Sequence, residues 1–136
     1  MKNNKYTLIR DSFDSYTKER EHVLYSGKLL KKDHSVLHFA FKVEDGISRI
    51  NISYESEVCH IKQIYSDSVS EMDLSLKKKL KYYLKLNSGY TLSFYTEASF
   101  IKIDEFEIKL KYNLYDDKSN LISMNEVSII GEDGIC

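Results

Sequence analysis

Four histidines, two cysteines and a few carboxylate pairs are the side chains of this 136-residue sequence that could move a proton, attack an electrophile or hold a metal. Their spacing speaks against each use. His34 and His38 are four apart, which suits a metal pair on a helix; on a strand that spacing separates them by about 13 Å at ~3.3 Å per residue. His34 also falls in the turn-forming KKDHS and His38 on the outer face of its segment, so both read as surface histidines. Cys59 beside His60 suggests a nucleophile and its base, but strand neighbours point to opposite faces and cannot share a proton. Cys59 is therefore expected to be a buried structural thiol. Glu44-Asp45, Asp116-Asp117 and Glu132-Asp133 lie in turns or the tail, where solvation accounts for them. No Cys-x-x-Cys, Gly-x-Ser-x-Gly, P-loop or dinucleotide fingerprint occurs. The expectation is of no catalytic set, no metal and no cofactor, hence not an enzyme.

Tyrosine and lysine are left to carry a function. The chain has 11 Tyr, 6 Phe and no Trp. Tyr25, Tyr54, Tyr82, Phe94 and Tyr112 share parity with apolar neighbours and so face inward. With Thr96 they would give an apolar pocket a polar end, as a small, partly apolar ligand requires. Core packing accounts for the same rows without a ligand. Residues 77–111 carry twice as many lysines as carboxylates. If the strands starting near 80 and 106 lie close together, Lys81, Lys85, Lys109 and Lys111 form an outward stripe beside Tyr83 that could hold phosphates or a protein partner. Outward lysines also keep sheet faces and edges soluble with no partner at all.

These residues need a scaffold, and the pattern of the chain is that of strands. Leu80, Tyr82, Leu84 and Leu86 alternate with Lys81, Tyr83 and Lys85; Phe106, Ile108, Leu110, Tyr112 and Leu114 alternate with Glu107, Lys109, Lys111 and Asn113. The rows Leu37-Phe39-Phe41-Val43, Ile50-Ile52-Tyr54 and Val23-Tyr25-Gly27-Leu29 follow the same rule. With no proline and five glycines, turns fall to Asn, Asp, Ser and Lys, at 11–15, 31–35, 44–46, 54–57, 65–68, 87–89 and 115–118. Residues 12–23 fit a loop, a helical turn or a frayed strand; 69–79 read as a strand with a lysine-rich turn. About ten strand candidates joined by short links predict an all-β, antiparallel up-and-down meander, arranged as a sandwich or as a barrel whose closure would leave no edges. A net charge of −1 removes the simple case for a nucleic-acid or acidic-membrane binder. No apolar run reaches the ~18 residues of a membrane helix. The composition suits one domain, 1–136, in the cytoplasm with the thiols of Cys59 and Cys136 reduced.

The runs SGYTLSFYT at 88–96, FEIKLKYNLY at 106–115 and NLISMNEVSII at 120–130 carry a resemblance. With Gly89, Thr96, Tyr112, Leu114 and the strand through Val127 and Ile129, the chain resembles the closing strands of the YwiB-like family of small, uncharacterised bacterial proteins. SGKLL at 26–30, the strands after Ser35 and Gly46 and the strand at Met72 extend the similarity over nearly the whole chain. EASFIKIDE, after Thr96, departs from the family in having neither proline nor glycine. The resemblance implies a lipocalin-like, calycin-type barrel of about eight to ten strands and no established activity. The expected protein is thus a lipocalin-like barrel binding a small molecule in its lumen, with an interaction module built on the lysine stripe as the alternative. Membrane binding is not expected, nucleic acid is disfavoured, and a homo-oligomer stays open.

Overall fold

The structure, a computed structural model, describes residues 5–104 and 106–131. Ten antiparallel strands follow one another: β1 (Lys5–Asp14), β2 (Arg20–Asp33), β3 (Val36–Val43), β4 (Gly46–Glu55), β5 (Val58–Ile64), β6 (Ser68–Leu74), β7 (Leu80–Leu86), β8 (Thr91–Ile103), β9 (Glu107–Tyr115) and β10 (Leu121–Gly131). Each pairs with its neighbours in sequence, and β1 pairs with β10 from Tyr6 opposite Gly131 to Asp14 opposite Ser123, closing the barrel. The all-β meander expected from alternation and short links is therefore the fold. Turns are made largely without glycine. Asp14, Asp104 and Asp116 each accept two backbone N–H bonds from the residues that follow, and these bonds hold all three carboxyls below the usual aspartate range.

Two expectations need correction. The turn signal at 11–15 lies mostly inside β1, and the chain reverses over 15–19 instead. Residues 12–23 are consequently the end of one strand, a turn and the start of the next. Phe106 precedes β9 and is 49% exposed, so it does not join the inward row of Ile108 and Leu110. β1 escaped the sequence pattern because both its faces are mixed: Tyr6, Leu8, Arg10 and Ser12 lie on one, Thr7, Ile9, Asp11 and Phe13 on the other.

The interior is packed with Leu8, Phe39, Phe41, Ile50, Ile52, Leu74, Ile108, Leu110 and Ile129, all at most 3% exposed. Phe39 is central, edge-on to Tyr6 at 5.2 Å and stacked on Phe41 at 5.8 Å between ring centroids. Cys59 is a free, buried thiol, and burial pushes it up to about 12. Cys136, Glu105 and the pair Glu132-Asp133 lie outside the described residues.

Successive links of a meander alternate between the two ends of the barrel. The β1–β2, β3–β4, β5–β6, β7–β8 and β9–β10 links share one end, and the β4–β5 and β6–β7 links lie at the other.

Candidate functional site

Because Tyr6 and Leu8 are buried, alternation along β1 carries the side chain of Arg10 into the barrel as well. It reaches residues more than fifty positions away. Arg10 Nη1 donates to Tyr65 Oη at 3.2 Å and Nη2 donates to Gln63 Oε1 at 3.2 Å. Gln63 continues the inward row of Cys59 and Ile61 on β5, and Tyr65 follows just beyond the strand. The Gln63 amide donates in turn to Ser48 Oγ at 3.2 Å and to the Tyr65 hydroxyl. The Tyr65 oxygen thus accepts from both Arg10 and Gln63, and its own hydrogen goes to neither.

Among the described residues no carboxylate pairs with Arg10. Burial opposes its charge, but the hydroxyls of Tyr65, Tyr112 and Tyr25 that face it outweigh burial and raise its pKa. Tyr112, in the row of Ile108 and Leu110 on β9, is enclosed by protein yet keeps accessible surface, as a side chain lining a cavity does. Burial pushes its hydroxyl up to about 12, against the pull of Arg10. Burial likewise raises Tyr82, against the opposing effect of the neighbouring Ser70. Both remain neutral phenols at physiological pH.

Below the guanidinium is a cavity of about 30 Å³, walled by Ile50, Ile52, Ile61, Met72, Leu110, Val127 and Ile129 and topped by Arg10, Gln63 and Tyr112. As it stands it has room for about one water-sized group. Two further spaces touch the same side chains. Tyr25 and Tyr65 line a recess of about 180 Å³ with Glu44, Asp45 and Asp67 at the end of the barrel where β3–β4 and β5–β6 turn. Tyr112 also lines an open hollow of about 560 Å³ beside Ser12, Lys111 and Asn125. A wider hollow of about 740 Å³ lies over Gly27, away from Arg10.

Of the residues expected in the lumen, Tyr25, Tyr82 and Tyr112 meet around Arg10. Phe94 supports them from the wall, edge-on to Tyr82 at 5.7 Å. Thr96 does not take part: it is fully buried and its hydroxyl donates to the backbone oxygen of Asp73 at 2.7 Å, tying β8 to the end of β6. Tyr54 continues the row of Ile50 and Ile52 but sits at the β4–β5 end of the barrel, 41% exposed and away from Tyr65. Sequence reasoning missed Arg10, Gln63, Tyr65, Ser48 and Ser70. The available signal was polarity out of place, with Arg10 following Tyr6 and Leu8, and Gln63 following Cys59 and Ile61.

The lysine stripe does not form. β8 lies between β7 and β9, and Lys81 stands opposite its Tyr95 whereas Lys111 stands opposite its Phe100. That offset is about 16 Å along the strand. Lys85 is farther still, opposite Thr91, and Lys109 pairs with Glu126 at 3.3 Å. The histidines are dispersed too: His22 contacts Asp11, His38 Nδ1 lies 2.9 Å from Asn51, His60 Nδ1 lies 2.5 Å from Asp73, and His34 is exposed in its turn. No group of three metal-ligating side chains occurs among the described residues.

No family model matches the chain, and no curated protein does. Among solved structures, the ywiB protein from Bacillus subtilis aligns with a TM-score of 0.65 over 95% of this chain and 92% of that one, at 13% identity. At that identity the likeness is one of architecture: the chain is a closed ten-stranded β-barrel with the fold of the ywiB protein.

Proposed function

We propose that this chain is a YwiB-like binding barrel whose lumen takes a small, partly apolar ligand, the Arg10 centre contacting the ligand's polar group. The observation that carries this reading is a guanidinium inside the barrel, without a carboxylate among the described residues and ringed by tyrosines above an apolar cavity. A few convergent polar groups on an apolar wall are what small-molecule sites are made of. The centre's groups also favour binding over catalysis. A guanidinium, an amide and high-pKa phenols hold a ligand well and exchange protons poorly near neutral pH. The Cys59 thiol, pushed up to about 12, is no nucleophile there. The outer lysines favour no second reading.

Screening small amphiphiles by two-dimensional amide NMR tests the proposal. Binders should move signals of Arg10, Gln63, Tyr65 and Tyr112 together. Tyr112→Phe should weaken them by about 0.5–1.5 kcal/mol, the worth of one neutral hydrogen bond, and change stability little. Binders that move only outward positions such as Lys81 or Lys111, or that ignore the Tyr112 change, would contradict a lumenal site.

A further inference from the structure

A charge taken out of water is strongly disfavoured unless an opposite charge or a full set of hydrogen bonds meets it. Arg10 has five N–H donors, of which two are spent on Tyr65 and Gln63. Around the remaining donors stand hydroxyls with hydrogens to give. The Tyr65 oxygen already accepts two bonds, and the Tyr25 and Tyr112 hydroxyls bond to no described residue. Every group facing the guanidinium from β2, β5, β7 and β9 is a phenol or an amide, so the centre offers donors and a positive charge and has no anion of its own.

From this arrangement we infer that the polar group of the ligand is a carboxylate, seated on the Arg10 guanidinium and the Tyr65 hydroxyl with a short apolar stub in the cavity below. The inference rests on the lumenal reading and specifies its chemistry. A planar carboxylate matches the guanidinium fork with two parallel hydrogen bonds. A single negative charge is what one arginine neutralises. A phosphate dianion would leave an unbalanced charge inside the barrel, and Glu44, Asp45 and Asp67 at the recess beside Tyr25 and Tyr65 would repel it further. Tyr82 and Tyr112 cannot serve as counter-ions, since burial keeps both protonated. The cavity walls of Ile50, Ile52, Ile61, Met72 and Leu110 offer nothing to a polar tail, and as it stands their volume admits a stub of about one carbon; a longer one, such as butyrate's, enters as Tyr112 swings toward the open hollow it also lines.

The test is a titration with butyrate, n-butanol and methyl phosphate in chloride-free buffer, followed by the side-chain NMR signals of Arg10 and Tyr112. Butyrate should bind about tenfold or more tighter than n-butanol, the scale of one charge-assisted pair, and tighter than methyl phosphate. Arg10→Met should abolish butyrate's advantage while n-butanol still binds. Tyr65→Phe, which keeps the charge and removes one donor, should weaken butyrate severalfold and carries the comparison if Arg10→Met does not fold. Equal binding of butyrate and n-butanol at these signals would overturn the carboxylate and leave the lumenal site standing. So would tighter binding of methyl phosphate, or an advantage of butyrate that survives Arg10→Met. If none of the three compounds moves these signals, both readings fall.

Discussion

Gly27→Ala should destabilise the barrel by ~3 kcal/mol or more, at the upper end of what over-packing does, and could prevent folding altogether. Gly27 on β2 lies between Tyr6 of β1 and Phe41 of β3. A Cβ there would sit 2.2 Å from the backbone oxygen of Ala40, 2.5 Å from Phe41 Cδ1 and 2.8 Å from Phe41 Cα. Two of these atoms are backbone, so no rotamer change relieves the clash. The β2–β3 ladder would have to open, and with it a barrel that depends on every neighbouring pair. Gly46→Ala is the contrasting case. Nothing lies within 4 Å of a Cβ at Gly46, and the change meets only the strain of φ +142°. Urea unfolding followed by circular dichroism would measure the difference; an unchanged midpoint for Gly27→Ala would refute the close approach of β2 and β3.

Phe39→Ala is expected to cost about 3–5 kcal/mol, because Phe39 is 1% exposed and its ring touches aromatic rings on two strands. Removing it leaves a hole between Tyr6 and Phe41 that rigid β-ladders cannot close. Phe39→Leu fills most of that volume and should lose much less. The same urea experiment checks both. A loss below about 1 kcal/mol for Phe39→Ala would mean that the packing centre of the barrel lies elsewhere.

The sequence made the strands legible wherever one face was apolar throughout. The rows Leu37-Phe39-Phe41, Leu80-Tyr82-Leu84 and Ile108-Leu110-Tyr112 are all where alternation put them. Asp14, Asp104 and Asp116 took over turn-making in a chain without proline. Alternation failed at β1 and at the end of β5 for a single reason: Arg10, Gln63 and Tyr65 are polar or turn-adjacent residues facing inward, which breaks the pattern that reveals a strand. Those three residues are the heart of the candidate site. A residue that spoils the fold signal is best tolerated where a ligand uses it. Thr96 shows the opposite error. Its parity was read correctly, but nothing in the sequence could tell that the backbone of Asp73 would claim its hydroxyl. The lysine stripe failed through register, which the β8 bulge between Ala98 and Phe100 helps to set and which periodicity does not encode.

Whether Arg10 serves a ligand or the fold can be read from the unfolding free energy of Arg10→Met. A ligand-holding arginine is dispensable to the empty barrel. Its replacement takes away a guanidinium that no carboxylate among the described residues meets, leaves Gln63 bonded to Ser48 and Tyr65, and forfeits two hydrogen bonds, one to Gln63 and one to Tyr65. The expected result is a folded protein within about 1 kcal/mol of the wild type, or more stable than it. A loss of ~3 kcal/mol or more, the signature of a broken buried charge network, would make Arg10 a structural tie and contradict the lumenal site.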